Sequence, residues 1–488
     1  MKIRVSERID KNATPVVVLK EKQKPESHPF FDRDFADPKR HLWGSARREG
    51  SYEHVLLLPG GRRVLIFGIP ESFSHRNSIK LMRRVVQVAR RERISKIVLN
   101  LADFNVRKWD FLNFAEVMAT QLEMANFEFV KYKEPPKEGF FFVKEALIYA
   151  KGTRNNAKIQ KALDAGKIIG EEINNTRVLA NTPGGDMTPA RLAEAAVKAG
   201  KRAKFKVKVL NEKAIRKLKM GGVLGVSQGS NERPRFIVME YMKGRKGEKP
   251  VVLVGKGVTF DTGGLNLKPS ESIYEMHMDM SGGAAVIHTI AALAQLKVKR
   301  NIIGLVPAVE NMPSGSSYRP GDLLRTMSGK TIEVLNTDAE GRVILADALE
   351  YAKRYNPRLV VDVATLTGSA IVALGPRASA IFATDSKMSE RIQEAGEMVG
   401  DYVWPMPLWE EYEEDIKGTF GDLANTSTKR DRTGGVSTSA AFLWQFIKDH
   451  NWVHLDIAPR MTAIESDNLA KGAAGAPVAL LTQFLRNF

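Results

Sequence analysis

The chain has 488 residues, is 43% hydrophobic and 27% charged, and carries a formal net charge of +18. That length suits two or three domains, and the balance is that of a globular protein rather than a disordered or fibrous one. The absence of cysteine excludes disulfides, thiol catalysis and zinc sites built on thiolates, while the positive charge favours polyanions as partners over cationic ones.

The opening MKIRVSERID lacks the apolar core of a secretory signal, and no later run reaches the roughly 18 apolar residues of a membrane span. A cytoplasmic location with no membrane partner is the expectation. Short apolar runs (VVVLK, HVLLLP, RVLIFGI, KIVLNL) alternate with helical patterns through residues 1–154, which predicts an N-terminal α/β domain. Within it, RNSIKLMRRVVQVARRERISK (76–96) sets Arg83, Arg84, Arg90, Arg91, Arg93 and Lys96 around Val85, Val86, Val88 and Ala89. This reads as a basic amphipathic helix, and it supports an alternative, additional role in binding DNA or RNA.

YKEPPKEG (132–139) is a loop by its prolines and charge, and a long connecting helix is predicted over 155–180. Beyond it, Thr188 can cap a further helix with Pro189 at its first position. Residues 181–488 then alternate strand-like runs (KVKVL, RFIVMEY, PVVLVG, NIIGLVPAVE, TIEVLN, LVVDVATL, SAIFAT, WVHLDI) with helical ones. The class is α/β: a smaller N-terminal α/β domain joined by the long helix to a C-terminal domain with a mainly parallel, doubly wound sheet. Ligands of such sheets bind beyond the carboxyl ends of the strands.

Charged residues gather at those ends. NTDAEGR (336–342) follows TIEVL and puts Asp338, Glu340 and Arg342 at alternate positions, hence on one side of an extended chain. VGKGVTFDTGGLNLKPS supplies Lys256, Asp261 and Lys268, and MHMDMSGG supplies Asp279. Four converging carboxylates repel one another unless cations sit among them. Two divalent ions about 3.5–4 Å apart would resolve that repulsion, polarise a carbonyl and bring a water's pKa near neutrality. An oxygen-rich set suits Mn²⁺, Mg²⁺ or Co²⁺ as well as Zn²⁺. SGKT (328–331) resembles the end of a phosphate-binding loop, but Leu324 stands where its first glycine is required.

These motifs, with LANTPGGDMTPARLAE, SYRPGDLLRTMSGKTIEVLNTDAEGRVILADAL and GAAGAPVALLTQFL, resemble the leucyl aminopeptidase (cytosol aminopeptidase) family of dinuclear metallo-exopeptidases, from about residue 170 onward. The resemblance implies that 181–488 is the catalytic domain, that Asp261 and Glu340 bridge two metals, manganese or zinc, that Lys256 and Asp279 complete the tighter site, and that Asp338 completes the more exchangeable one. It implies that Lys268 polarises the scissile carbonyl and that Arg342 holds a bicarbonate acting as general base. The α-amine of a peptide substrate would bind one metal, with leucine and other apolar first residues favoured. Met276, Thr365 and Gly368 would line the pocket for that side chain, with Leu366 contacting substrate. A homohexamer is implied as well. His277 stands where the family often has lysine, and reads as a surface residue or one behind the ligands. NTSTKRDRTGG (425–435) is basic for the family, and Lys429, Arg430 and Arg432 would favour acidic peptides.

Overall fold

The computed structural model describes residues 1–21, 23, 28–30, 52–57, 61–105, 110–150, 155–429 and 433–488. The chain forms two compact units, Met1–Glu171 with Ile464–Lys471, and Glu172–Ala463 with Gly472–Phe488. The division falls inside a single helix, Asn156–Asn181. Segment 464–471 joins the first unit through specific bonds: Arg83 donates to the Asp467 carbonyl (3.2 Å), and the Asn468 amide to that of Lys80 (3.2 Å).

The first unit is built on a six-stranded sheet of β1 (Lys2–Ser6), β2 (Thr14–Lys20), β3 (Tyr52–Leu57), β4 (Arg63–Ile69), β5 (Lys96–Asn100) and β6 (Glu145–Tyr149), in the order β1-β6-β5-β2-β4-β3. Only β3 runs antiparallel to its neighbour. The basic stretch forms helix His75–Arg91, capped by Ser74, and buries Ile79, Met82, Val85, Val86 and Ala89. Its cations are committed within the unit. Arg83 bonds the Gln121 side chain, Arg84 and Arg91 share Glu53, Arg90 meets Glu128, Arg93 meets Glu138, and Lys96 joins Asp10 and Glu145. A cation already matched to a carboxylate has less to gain from a phosphate, so this face gives no support to the nucleic-acid reading.

The second unit holds β7 (Lys206–Leu210), β8 (Arg235–Met242), β9 (Val251–Gly255), β10 (Gly257–Asp261), β11 (Asn301–Asn311), β12 (Leu323–Arg325), β13 (Thr331–Glu333), β14 (Leu359–Ala364), β15 (Ser379–Ala383), β16 (Val403–Pro405), β17 (Leu423–Ala424) and β18 (Trp452–Asp456). A nine-stranded sheet runs β16-β15-β18-β14-β9-β11-β8-β7, with β10 also paired to β11. Its centre, β18-β14-β9-β11, is parallel, and antiparallel pairs lie only toward the margins. The central strands are buried throughout, as a sheet covered on both faces requires. Ile303 and Leu305 share a core with Val343 and Leu345 of helix Glu340–Ala352. Gly304 between them faces Val286 and Ile290 of helix Ser281–Gln295. Thr188 caps helix Pro189–Ala203, accepting from the Arg191 N–H at 3.4 Å. Among the described residues no helix is long and apolar enough to cross a membrane.

Two local expectations are corrected. TIE does not join the large sheet: β13 lies in a separate three-stranded sheet, β12-β13-β17. GVTFD, just past PVVLV, forms a further strand, β10, parallel to β11. Met276–Met278 is a 3₁₀ turn ending at Asp279, not a strand, so alternation does not decide where His277 points. SGKT occupies the hairpin between β12 and β13, where Gly329 takes a positive φ of 89°.

Candidate active site

The parallel strands end together, and each delivers a polar residue there. Lys256 follows β9, Asp261 ends β10, Asn311 ends β11, Thr365 follows β14 and Asp456 ends β18. Two further segments complete the group. Asp279 precedes helix Ser281–Gln295, and NTDAEGR leads from the small sheet into helix Glu340–Ala352. Glu340 and Arg342 therefore stand in a first helical turn. Convergence comes from this turn-to-helix transition, not from an extended chain.

The Lys256 ammonium lies 2.8 Å from Asp279 Oδ2 and 2.7 Å from Glu340 Oε1, and donates to the Thr365 carbonyl at 2.9 Å. Lys268 lies 2.9 Å from Asp261 Oδ2 and 2.5 Å from Asp338 Oδ1. Asp261, Asp338 and Glu340 each offer an oxygen within 4.8 Å of the others, a group able to hold a metal ion. Lys256, Asp261, Asp279 and Glu340 are all buried. Gly263 and Gly264 turn the chain after Asp261 with φ of 85° and 64°, values costly for residues with a Cβ. The Gly263 N–H then donates to Asp261 Oδ1 at 2.9 Å.

The electrostatics match a site short of positive charge. Burial, then the charge of Glu340, pushes the Asp261 carboxyl up to about 7 despite both lysines. Burial likewise raises Asp279 and Asp338. Glu340 is held low: burial opposes its ionisation, but Lys256 and Lys268 outweigh it. Burial also opposes the charge on each lysine, yet Asp279, Glu340 and Asp261 raise Lys256, and Asp261, Glu340 and Asp338 raise Lys268. Burial lowers Arg342 to about 10.

Polar atoms remain over. Glu340 Oε2 is buried without a hydrogen-bond partner, and Asp279 Oδ2, Glu340 Oε1 and Asp338 Oδ1 meet ammonium groups at ion-pair distance without hydrogen-bond geometry. A buried carboxylate oxygen left unpaired is costly. Carboxylate oxygens gathered in this way are the donors that hard divalent ions take.

Of the residues expected to meet substrate, Leu366 and Gly368 line a cleft of about 750 Å³ that also holds Lys268, Asp338 and Arg342. Met276 and Thr365 do not line it. Thr365 is buried and donates its hydroxyl to Asp279 Oδ1 at 2.7 Å. His277 is half-buried and outside the acidic group. Lys429 lies at the cleft and pairs with Asp415 (2.5 Å), whereas Arg430 and Arg432 lie outside the described residues. The supporting asparagines and tyrosine escaped the sequence reading. Asn311 donates to Asp261 Oδ1 (2.8 Å) and the Thr337 carbonyl (2.9 Å), and Tyr318 donates to the same carbonyl at 2.6 Å. A polar residue closing a fully buried strand, as Asn311 does, was the available signal.

Residues 174–482 match the catalytic domain of the cytosol aminopeptidase family, and residues 54–136 match that family's N-terminal domain. The chain belongs to the cytosol aminopeptidase family. It is accordingly a metal-dependent aminopeptidase, a hydrolase. A probable cytosol aminopeptidase of Methylobacillus flagellatus is 40% identical over 426 residues, 87% of this chain and 85% of that one. Another from Azotobacter vinelandii is 43% identical over 392 residues, 80% and 78% of the two chains. Among solved structures, a bottromycin maturation enzyme in complex with Mn superposes with a TM-score of 0.84 at 28% identity, covering 98% of this chain and 99% of its own.

Proposed function

We propose that this aminopeptidase works with two divalent ions and releases N-terminal residues, leucine and other apolar ones preferentially, from peptides. The observation that carries this reading is the gathering of buried Asp261, Asp279 and Glu340 with half-buried Asp338, which lines an open cleft, and the carboxylate oxygens left there without a hydrogen-bond partner. Asp261, Asp279, Asp338 and Glu340 would hold the ions through their carboxylates, and Lys256 would join them only as the neutral amine, since an ammonium has no lone pair; a dication beside it would lower its pKa and release that proton to solvent. Bound there, the ions supply Lewis acidity that activates water and polarises the substrate carbonyl.

Lys268 reaches into the cleft as a cation and donates to the carbonyl oxygen as negative charge develops on it. Arg342, whose Nε is buried without a partner, anchors a bicarbonate as proton acceptor. Leu366 and Gly368 contact the substrate, and Thr365 and Met276 shape the pocket for its first side chain from behind. The ligand chemistry admits manganese or zinc, and the Mn complex of the similar bottromycin maturation enzyme favours manganese. The relatives' name supports a cytoplasmic location. A homohexamer belongs to the same reading, on family resemblance.

The test is hydrolysis of leucine p-nitroanilide before and after stringent chelation, with Mn²⁺ or Zn²⁺ restored. Activity should vanish and return, with two ions bound per chain. Full activity in metal-free protein, or return with a single ion bound, would contradict the two-ion reading.

A further inference from the structure

The metal-binding turn is held from one side by a residue outside the metal and catalytic set. β13 and β17 run parallel, with Ile332 opposite Leu423 and Glu333 opposite Ala424. One strand continues into NTDAEGR, and the other continues through Asn425 into the cleft rim at Thr426, Ser427 and Lys429. Asn425 is fully buried. Its Oδ1 accepts from the N–H groups of Leu335 (2.8 Å) and Asn336 (3.2 Å). Its Nδ2 donates to the carbonyls of Asn336 (2.6 Å) and Ala339 (3.5 Å). Its own carbonyl accepts from Arg342 at 2.8 Å. One residue thus grips the backbone on both sides of Asp338, abuts Glu340 through Ala339, and orients the guanidinium.

We propose that Asn425 is a positioning residue that joins the cleft rim to the turn carrying Asp338 and Glu340 and to Arg342, so that these groups keep one geometry. The inference rests on the two-ion reading of the site. The amide is matched to its surroundings: acceptor toward two N–H groups, donor toward two carbonyls. An aspartate there would keep the shape and the acceptor bonds but turn an oxygen toward the Asn336 carbonyl. Partners of this kind behind a metal ligand alter metal affinity about 10–100-fold when removed.

The experiment compares Asn425→Ala and Asn425→Asp with Asp422→Ala in the full chain. Asp422 bonds the Thr331 N–H (2.7 Å) and hydroxyl (2.8 Å), tying the same two strands away from the turn. Mn²⁺ affinity is read by competition with a chelating dye, melting temperature on metal-free protein, and kcat and KM at saturating Mn²⁺. Both Asn425 variants should bind Mn²⁺ about tenfold or more weakly and lose kcat with little change in KM. Asp422→Ala should lower the melting temperature and leave Mn²⁺ affinity at the wild-type value. Wild-type affinity in Asn425→Asp would overturn the proposal, and that variant decides if Asn425→Ala does not fold. Equal weakening in Asp422→Ala would also overturn it, by showing general destabilisation. A wild-type protein that binds no Mn²⁺ would instead remove the two-ion reading beneath it.

Discussion

Gly341, between Glu340 and Arg342, is a position where one added methyl would press directly on a residue of the charged site. A Cβ there would lie 2.6 Å from Lys256 Cε, 2.7 Å from Nζ and 2.8 Å from Cδ. Non-bonded carbons rest about 3.5–4.0 Å apart, so the lysine must retreat by about 1 Å. It is buried at 3% exposure, and its ammonium is held at 2.7 Å by Glu340 and 2.8 Å by Asp279. With an effective dielectric of about 20, lengthening each pair by about 1 Å costs roughly 1.5 kcal/mol, or about 3 kcal/mol for both. Overpacking of a filled core costs about 1–3 kcal/mol, a figure of the same size. Gly341→Ala should therefore lower the stability of the metal-free protein by about 2–3 kcal/mol, measured by urea unfolding. Because Lys256 is displaced by about 1 Å, kcat/KM on leucine p-nitroanilide with saturating Mn²⁺ should fall about 100-fold. Gly185→Ala is the control, since a Cβ there meets nothing within 4 Å. A Gly341→Ala enzyme with wild-type kcat/KM would refute the reasoning, because Lys256 could then move without consequence.

Lys268→Ala should lower kcat by about 10²–10³-fold, the usual loss for one donor to a developing oxyanion. It should retain both ions by elemental analysis, because losing the ammonium leaves Asp261 and Asp338 more in need of a cation. Wild-type turnover would remove Lys268 from the chemistry. The pH dependence follows from Asp261, raised by burial and Glu340 to about 7. Its pKa lies above the unfolded value, so its contribution to the metal-free fold is present in acid and lost as pH rises through about 7. Metal needs the ionised form, so Mn²⁺ affinity should rise from pH 6 to 8, and thermal melts with and without Mn²⁺ should diverge across that range. Affinity flat over the interval would show that the cluster gives up no proton. Duplex DNA should not retain the protein at about 0.15 M salt, because the cations of 83–96 are already paired. Retention abolished by Arg84→Ala with Arg91→Ala would restore the nucleic-acid role.

The class of fold was readable because buried parallel strands announce themselves: VVLVG, NIIGLVPAVE and LVVDVA are apolar without alternation, and a sheet covered on both faces is their physical meaning. Which sheet a short strand joins was not readable. TIE has the composition of any core strand, yet its partner is Leu423–Ala424, some ninety residues on, reinforced by Glu333 accepting from the N–H groups of Thr419 and Phe420 at 2.6 and 2.9 Å. No local pattern encodes that pairing. The charge of residues 76–96 is a similar case, since a count of arginines cannot see Glu53 or Glu128, which lie 31 to 38 positions away.

Chemistry at the site was legible where the residue type itself is improbable in burial. Four carboxylates and two lysines at strand ends demand an explanation, whereas Asn425 does not. An asparagine followed by Thr-Ser-Thr reads as a loop, the commonest place for it. The same logic explains the alternation of Asp338, Glu340 and Arg342. Spacing correctly directed attention to them, but a helix beginning at Glu340 sets their directions, and the turn before it is shaped by Asn425, Asn311 and Tyr318. The charged groups of the site are therefore inscribed in NTDAEGR and its sister motifs, while their geometry is written in uncharged residues that a search for chemistry passes over. Conservative changes at Asn311, Tyr318 or Asn425 should therefore alter metal affinity more strongly than changes in net charge at the cleft rim, where Lys429 is already occupied by Asp415.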